Sequence, residues 1–132
     1  EYFKKKYNQS NIIWHGWIEK DTLSNVIDET DFFILSLNSL GRQSLIVPSK
    51  LQTYLQYSKP ILCFASGASA ELIKKTNTGI LCNNKKEKIV YDIEKLINID
   101  QKTYNKMCKN CYNYYIKMLS PDKIADDFLN LI

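Results

Sequence analysis

At 132 residues and 45% hydrophobic side chains, the chain carries enough apolar material for one core of ordinary size. Its 18 basic and 14 acidic residues leave a net charge of +4, with lysines scattered rather than striped, a balance that suits a small anionic ligand and argues against nucleic acid. No apolar run approaches the ~20 residues of a membrane helix, and no signal-peptide pattern follows the opening EYFKKKYNQS, so a cytoplasmic protein is expected.

EYFKKKY reads as the tail of a helix rather than the start of a domain, and the chain is therefore expected to be a fragment of a longer protein. NIIWHG reads as a strand closed by Gly16. In DTLSNVIDET, Asp21 is the candidate N-cap, with Leu23, Val26 and Ile27 at helical spacing. DFFILSL is nearly unbroken in its apolar character, the pattern of a strand covered on both faces.

After the polar loop NSLGRQS comes VPSKLQTYLQYSKPILCFA, in which Leu51, Tyr54 and Leu55 share the face of a helix and KPILCFA is a buried strand. SAELIKKTN is a short helix and TGILC a short strand entered through Gly79. Strands alternating with helices over short connections imply an α/β fold with a parallel sheet wrapped by helices.

From residue 85 the strands stop, and residues 85–132 read as a helical tail of KKEKIVYDIEKLIN, QKTYNKMCKNCYNYYIKML and PDKIADDFLNLI. Tyr104, Met107, Cys111, Tyr114, Tyr115 and Met118 recur every three or four residues, a core stripe. Ser120 is the expected N-cap of the last helix, with Pro121 at its first position, and Ile124, Phe128, Leu131 and Ile132 imply that this helix docks against something. No repeat or linker interrupts residues 1–132, which read as a single domain.

Cys63 and Cys82 lie in strand-like runs, and Cys108 and Cys111 in a helical one, which fits reduced thiols in a reducing compartment. CKNC has the spacing of half a zinc site, but the one histidine, His15, is remote in sequence; no metal is expected.

Parallel sheets bind ligands beyond the carboxyl ends of their strands, which nominates the loops HGWIEK, NSLGRQSLIVPSK and ASGASAE. The second leads straight into a helix that begins near Ser49. A helix start presents outward N–H groups and about half a positive charge. Lys50 adds a full charge and Arg42 lies in the same loop, so the segment is a candidate cradle for a phosphate or diphosphate. The same residues also fit a plain helix end, with Ser49 as cap and Lys50 as a solvated side chain, and composition does not choose between the two readings.

In order and spacing, NIIWHGWIEKDTLSNVIDETDFFILSLNS, VPSKLQTYLQYSKPILCF and ASAELIKKTNTGILC resemble the C-terminal, donor-binding half of GT-B glycosyltransferases, most of all the retaining group called family four, over residues 11–83. The resemblance implies a Rossmann-like parallel sheet with flanking helices, one half of a GT-B fold, that binds a nucleotide-sugar, with UDP as the expected nucleotide. It implies no cofactor beyond that donor and a role in polysaccharide or glycoconjugate synthesis. The partner would be an N-terminal acceptor-binding domain outside this chain. Any peripheral association with the inner face of the membrane would come through that missing half.

On that resemblance Val47, Pro48, Ser49 and Lys50 fall where the donor diphosphate and sugar are held, and Gly16, Trp17 and Ile18 on the loop near the base. Thr53 stands where members carry the second glutamate of a pair that contacts ribose, and Leu45, eight residues earlier, where they carry the first. Gln43, Gln52 and Thr53 are the substitutes on hand. Ser58 replaces the glycine that precedes Lys-Pro, at a helix end. His15, between Trp14 and Trp17, reads as part of the sheet edge or of a wall against the base rather than as a catalytic base. Ser69 and Glu71 fit either contact with the donor sugar or a plain helix start. The cations that neutralise the diphosphate in the family lie upstream of the residues present, so no catalytic residue is assigned and the isolated chain is expected to be inactive. The alternative is a non-catalytic nucleotide or sugar-nucleotide binding module, which the two absent glutamates favour.

Overall fold

A computed structural model of the chain describes residues 5–6, 10–37, 44–82 and 85–131. Its strands β1 (Phe33–Ser36), β2 (Ile61–Phe64) and β3 (Gly79–Leu81) form a parallel sheet in the order β1-β2-β3, with Leu35, Cys63 and Leu81 in register. Helix α1 (Lys20–Asp28) precedes β1, α2 (Ser49–Gln56) connects β1 to β2, and α3 (Ala68–Thr76) connects β2 to β3. The helices α4 (Lys86–Ile97), α5 (Gln101–Met118) and α6 (Pro121–Leu129) make up the C-terminal tail. This is the α/β layout that the alternation of strands and helices implied, in the Rossmann-like form that the family resemblance implied.

Strand residues alternate between faces, so Phe33, Leu35, Ile61 and Cys63 all point to one side of the sheet. There they meet Leu51 and Leu55 of α2, Ile73 of α3 and Cys111 of α5, all fully buried. The two leucines, four apart on α2, each contribute roughly 1.5–3 kcal/mol by leaving water. α5 lies across both α2 and α3, so its stripe closes the core as expected, with Met107 and Cys111 buried and Tyr114 and Tyr115 partly so. Two caps set the ends of this tail: Asp100 accepts from the Thr103 amide at 2.9 Å, and Ser120 accepts from the Lys123 amide at 3.2 Å. Among the described residues no helix is long and apolar enough to cross a membrane.

Several sequence expectations are corrected. NIIWHG forms no strand: residues 12–16 are irregular, and Ile13 stands exposed, because an extended segment counts as a strand only when a neighbour pairs with its backbone. β1 is covered on one face only. Its opposite face carries Ser36 and Ile34, the latter 58% exposed, so an apolar run did not guarantee burial on both sides. Glu19, not Asp21, is the N-cap residue of α1, and Asp21 lies in the first turn, where its charge still complements the helix dipole. Met118 is exposed at the end of its stripe, and Ile124, Phe128 and Leu131 leave the apolar side of α6 open, in contact with α5 at one end.

Candidate functional site

Because all three strands run the same way, their carboxyl ends lie along one edge, and α2 and α3 both start there. The N-cap residue of α2 is Pro48 in extended conformation, with Ser49 as the first helical residue, so Ser49 is not the cap that one sequence reading made it. Proline has no N–H to leave unsatisfied and is pre-set near its φ of −72°. The Leu51 amide bonds back to the Pro48 carbonyl at 3.0 Å. That leaves Ser49 and Lys50 as the exposed first-turn residues, with amides that no described side chain caps.

Charge separates this helix start from the others. Acidic side chains occupy the first turns of α1 (Asp21), α3 (Glu71), α4 (Glu87) and α6 (Asp122), and Asp100 caps α5. The first turn of α2 holds no acid and no side-chain cap, and it carries Lys50 instead. Among the described residues no acid in its first turn and no cap compensates its positive end, which lies on the edge where parallel sheets bind ligands.

Of the remaining nominated residues, Val47 and Pro48 are half-buried, and Val47 packs against the core, anchoring the segment from below. The Thr53 hydroxyl donates to the Ser49 carbonyl at 3.2 Å, so its proton is already committed within α2. Gly16 turns the chain with φ 69°, followed by Trp17, 91% exposed, and half-buried Ile18. Among the described residues no hydrogen bond or ring contact joins 16–18 to 47–53. Arg42 and Gln43 lie outside the described residues. His15 is exposed.

Ser69 and Glu71 part company. Glu71 is exposed on the first turn of α3, whereas Ser69 is 1% exposed and donates its hydroxyl to the Ile46 carbonyl at 3.4 Å, so it is a packing residue rather than a surface contact. A hollow of about 610 Å³ opens further along the same edge, lined by Leu81, Cys82, Glu87, Lys88, Tyr91 and Asp92. Its described lining sets two carboxylates against one ammonium, the wrong sign for a diphosphate. Among the described residues no three His, Cys, Asp or Glu side chains come together as a metal site.

The sequence model of the family described as glycosyl transferases group 1 matches residues 1–117. The chain belongs to that family. No curated protein and no solved structure matches it. Membership makes this glycosyltransferase a transferase of sugar groups. Sequence reasoning did not single out Gly67 at the start of α3, where the chain comes close to the Ser44 carbonyl. The signal was present in SGASA, a glycine among small residues directly after a buried strand, which marks a close backbone approach.

Proposed function

We propose that this chain is the donor-binding part of the glycosyltransferase, the C-terminal half of a GT-B enzyme of the retaining group. In it the first turn of α2 receives the diphosphate of a nucleotide-sugar, with UDP as the nucleotide. The observation that carries this reading is the helix start itself: exposed residues Ser49 and Lys50, no acid in the first turn, no capping side chain among the described residues, and a lysine at its second position. During transfer the bond between the anomeric carbon and the diphosphate oxygen breaks and its electron pair leaves with the nucleoside diphosphate, while the acceptor hydroxyl oxygen bonds to the anomeric carbon and gives up its proton. The added charge on the departing diphosphate is what the α2 amides and the Lys50 ammonium stabilise, in the manner of preorganised donors at other developing anions. Further cations and the acceptor site belong to an N-terminal domain outside this chain. The whole enzyme would work at the cytoplasmic face of the membrane, building a polysaccharide or glycoconjugate by hexosyl transfer.

A second reading, a nucleotide-binding module without catalysis, draws on Thr53, whose hydroxyl is engaged by Ser49 and which brings no carboxylate to a ribose. Both readings need phosphate recognition, and only the first needs transfer once an acceptor domain is supplied. Equilibrium titration separates the proposal from a plain helix end: affinity should fall in the order UDP, UMP, uridine, since a charge-assisted hydrogen bond contributes on the order of 1.5–3 kcal/mol. Equal binding of all three ligands would remove it.

A further inference from the structure

Helix α3 begins in a way that costs backbone freedom. Gly67, its N-cap residue, has φ 67° and ψ −142°, a region open in practice only to glycine. A β-carbon there would overlap the carbonyl oxygen of Ser44, so the strained glycine is also the place where the start of α3 presses against the loop that leads into α2. Two residues on, buried Ser69 donates to the Ile46 carbonyl at 3.4 Å. Between them these contacts hold the backbone at 44 and 46, immediately ahead of Val47 and Pro48. Leu45 and Ile46 themselves are exposed and contribute little packing to hold the loop in place.

We infer that Gly67 and Ser69 are positioning residues for the donor site: they fix the loop ahead of α2 and thereby aim its first-turn amides. The inference rests on the reading of α2 as the diphosphate cradle. Ser69 is too buried to touch the ligand, and the contact that gives Gly67 this role is the one its backbone makes with Ser44. Their effect passes through the backbone of residues 44–48, and the direction of an N–H group decides how well it meets a phosphate oxygen. The brace joins the loop ahead of α2 to the start of α3, so the geometry of the cradle depends on the next strand and helix and not on VPSK alone.

The variant that tests this gently is Ser69→Ala, which deletes the hydroxyl and leaves the glycine contact, with Ser69→Cys as a version that keeps a weaker donor in place. Amide hydrogen exchange of the ligand-free chain should quicken in Ser69→Ala at Leu51, whose amide bonds to the Pro48 carbonyl, while the β2 amides keep their protection. UDP affinity should fall about three- to tenfold, the worth of one ordinary hydrogen bond, uridine affinity should hold, and Ser69→Cys should lie between. Unchanged exchange at Leu51 would overturn the brace whatever UDP does. Faster exchange with no change in UDP affinity would overturn the positioning role. If the unaltered chain fails to prefer UDP over uridine, the donor reading falls and the positioning role with it, whereas the exchange data still report the brace separately.

Discussion

The ring of Tyr54 stacks on that of Phe33, with centroids 4.2 Å apart and planes only 6° from parallel, and its hydroxyl donates to the Ile34 carbonyl at 3.4 Å. One contact thus ties the middle of α2 to the first strand, one residue beyond Thr53. Tyr54→Ala should lower stability by roughly 2–4 kcal/mol, as for other aromatic truncations at partly buried sites. Tyr54→Phe keeps the stack and loses only a long hydrogen bond, so it should cost under about 1 kcal/mol. Urea unfolding of the two variants checks this, and equal losses would mean that the ring is not what anchors α2.

Ser58, just past the end of α2, holds φ 57°, the left-handed conformation that a side chain disfavours, and its amide bonds to the Leu55 carbonyl at 3.1 Å. Ser58→Gly should therefore raise stability by up to about 1 kcal/mol and Ser58→Val should lower it, read as shifts in the thermal midpoint. A loss on Ser58→Gly would show that its backbone entropy outweighs the relief of strain.

Buried and half-buried acids that are neutral at pH 7 make the fold sensitive to alkali. Burial, and next the neighbouring Cys108, push the Cys111 thiol from 9.0 up to about 12. Burial pushes Cys82 up to about 11, with Asp92 and Cys63 adding to it, and Tyr104 up to about 12, with Cys108 adding. The folded chain holds these protons more tightly than the unfolded one, so the associated stability is complete below about pH 9 and drains away as pH climbs towards 12. Cys111→Ser, which keeps a donor for the Lys59 and Thr78 carbonyls, should flatten the decline by up to about 1.4 kcal/mol per pH unit. Identical pH–stability curves for the two proteins would contradict this linkage.

Much of the fold was legible because periodicity reports burial: Leu51 with Leu55, and Met107 with Cys111, are four apart and meet the same core. Ser120 and Pro121 were legible because a cap is a local device. NIIWHG and the second face of β1 misled for the opposite reason, since pairing and coverage depend on what lies alongside a strand, which its own residues do not encode. At the site, VPSK pointed to the start of α2, but the cap fell on Pro48. Ser69 was left between a contact with the donor sugar and a plain helix start because nothing local to SGASA announces a partner at Ile46, 23 residues earlier. The absence of acid in the first turn of α2 was visible in the sequence, yet it gained meaning only when the other helix starts could be compared.

The central claim, that the first turn of α2 holds the donor diphosphate, is tested most directly by mapping UDP-induced amide chemical-shift changes on the 132-residue chain and on its Lys50→Ala variant. The largest changes should fall between Val47 and Thr53, and Lys50→Ala should weaken UDP more than uridine while leaving the thermal midpoint nearly unchanged, as befits an exposed first-turn lysine. Changes centred on the Glu87–Asp92 hollow or on α5, with Lys50→Ala indistinguishable from the unaltered chain, would contradict it.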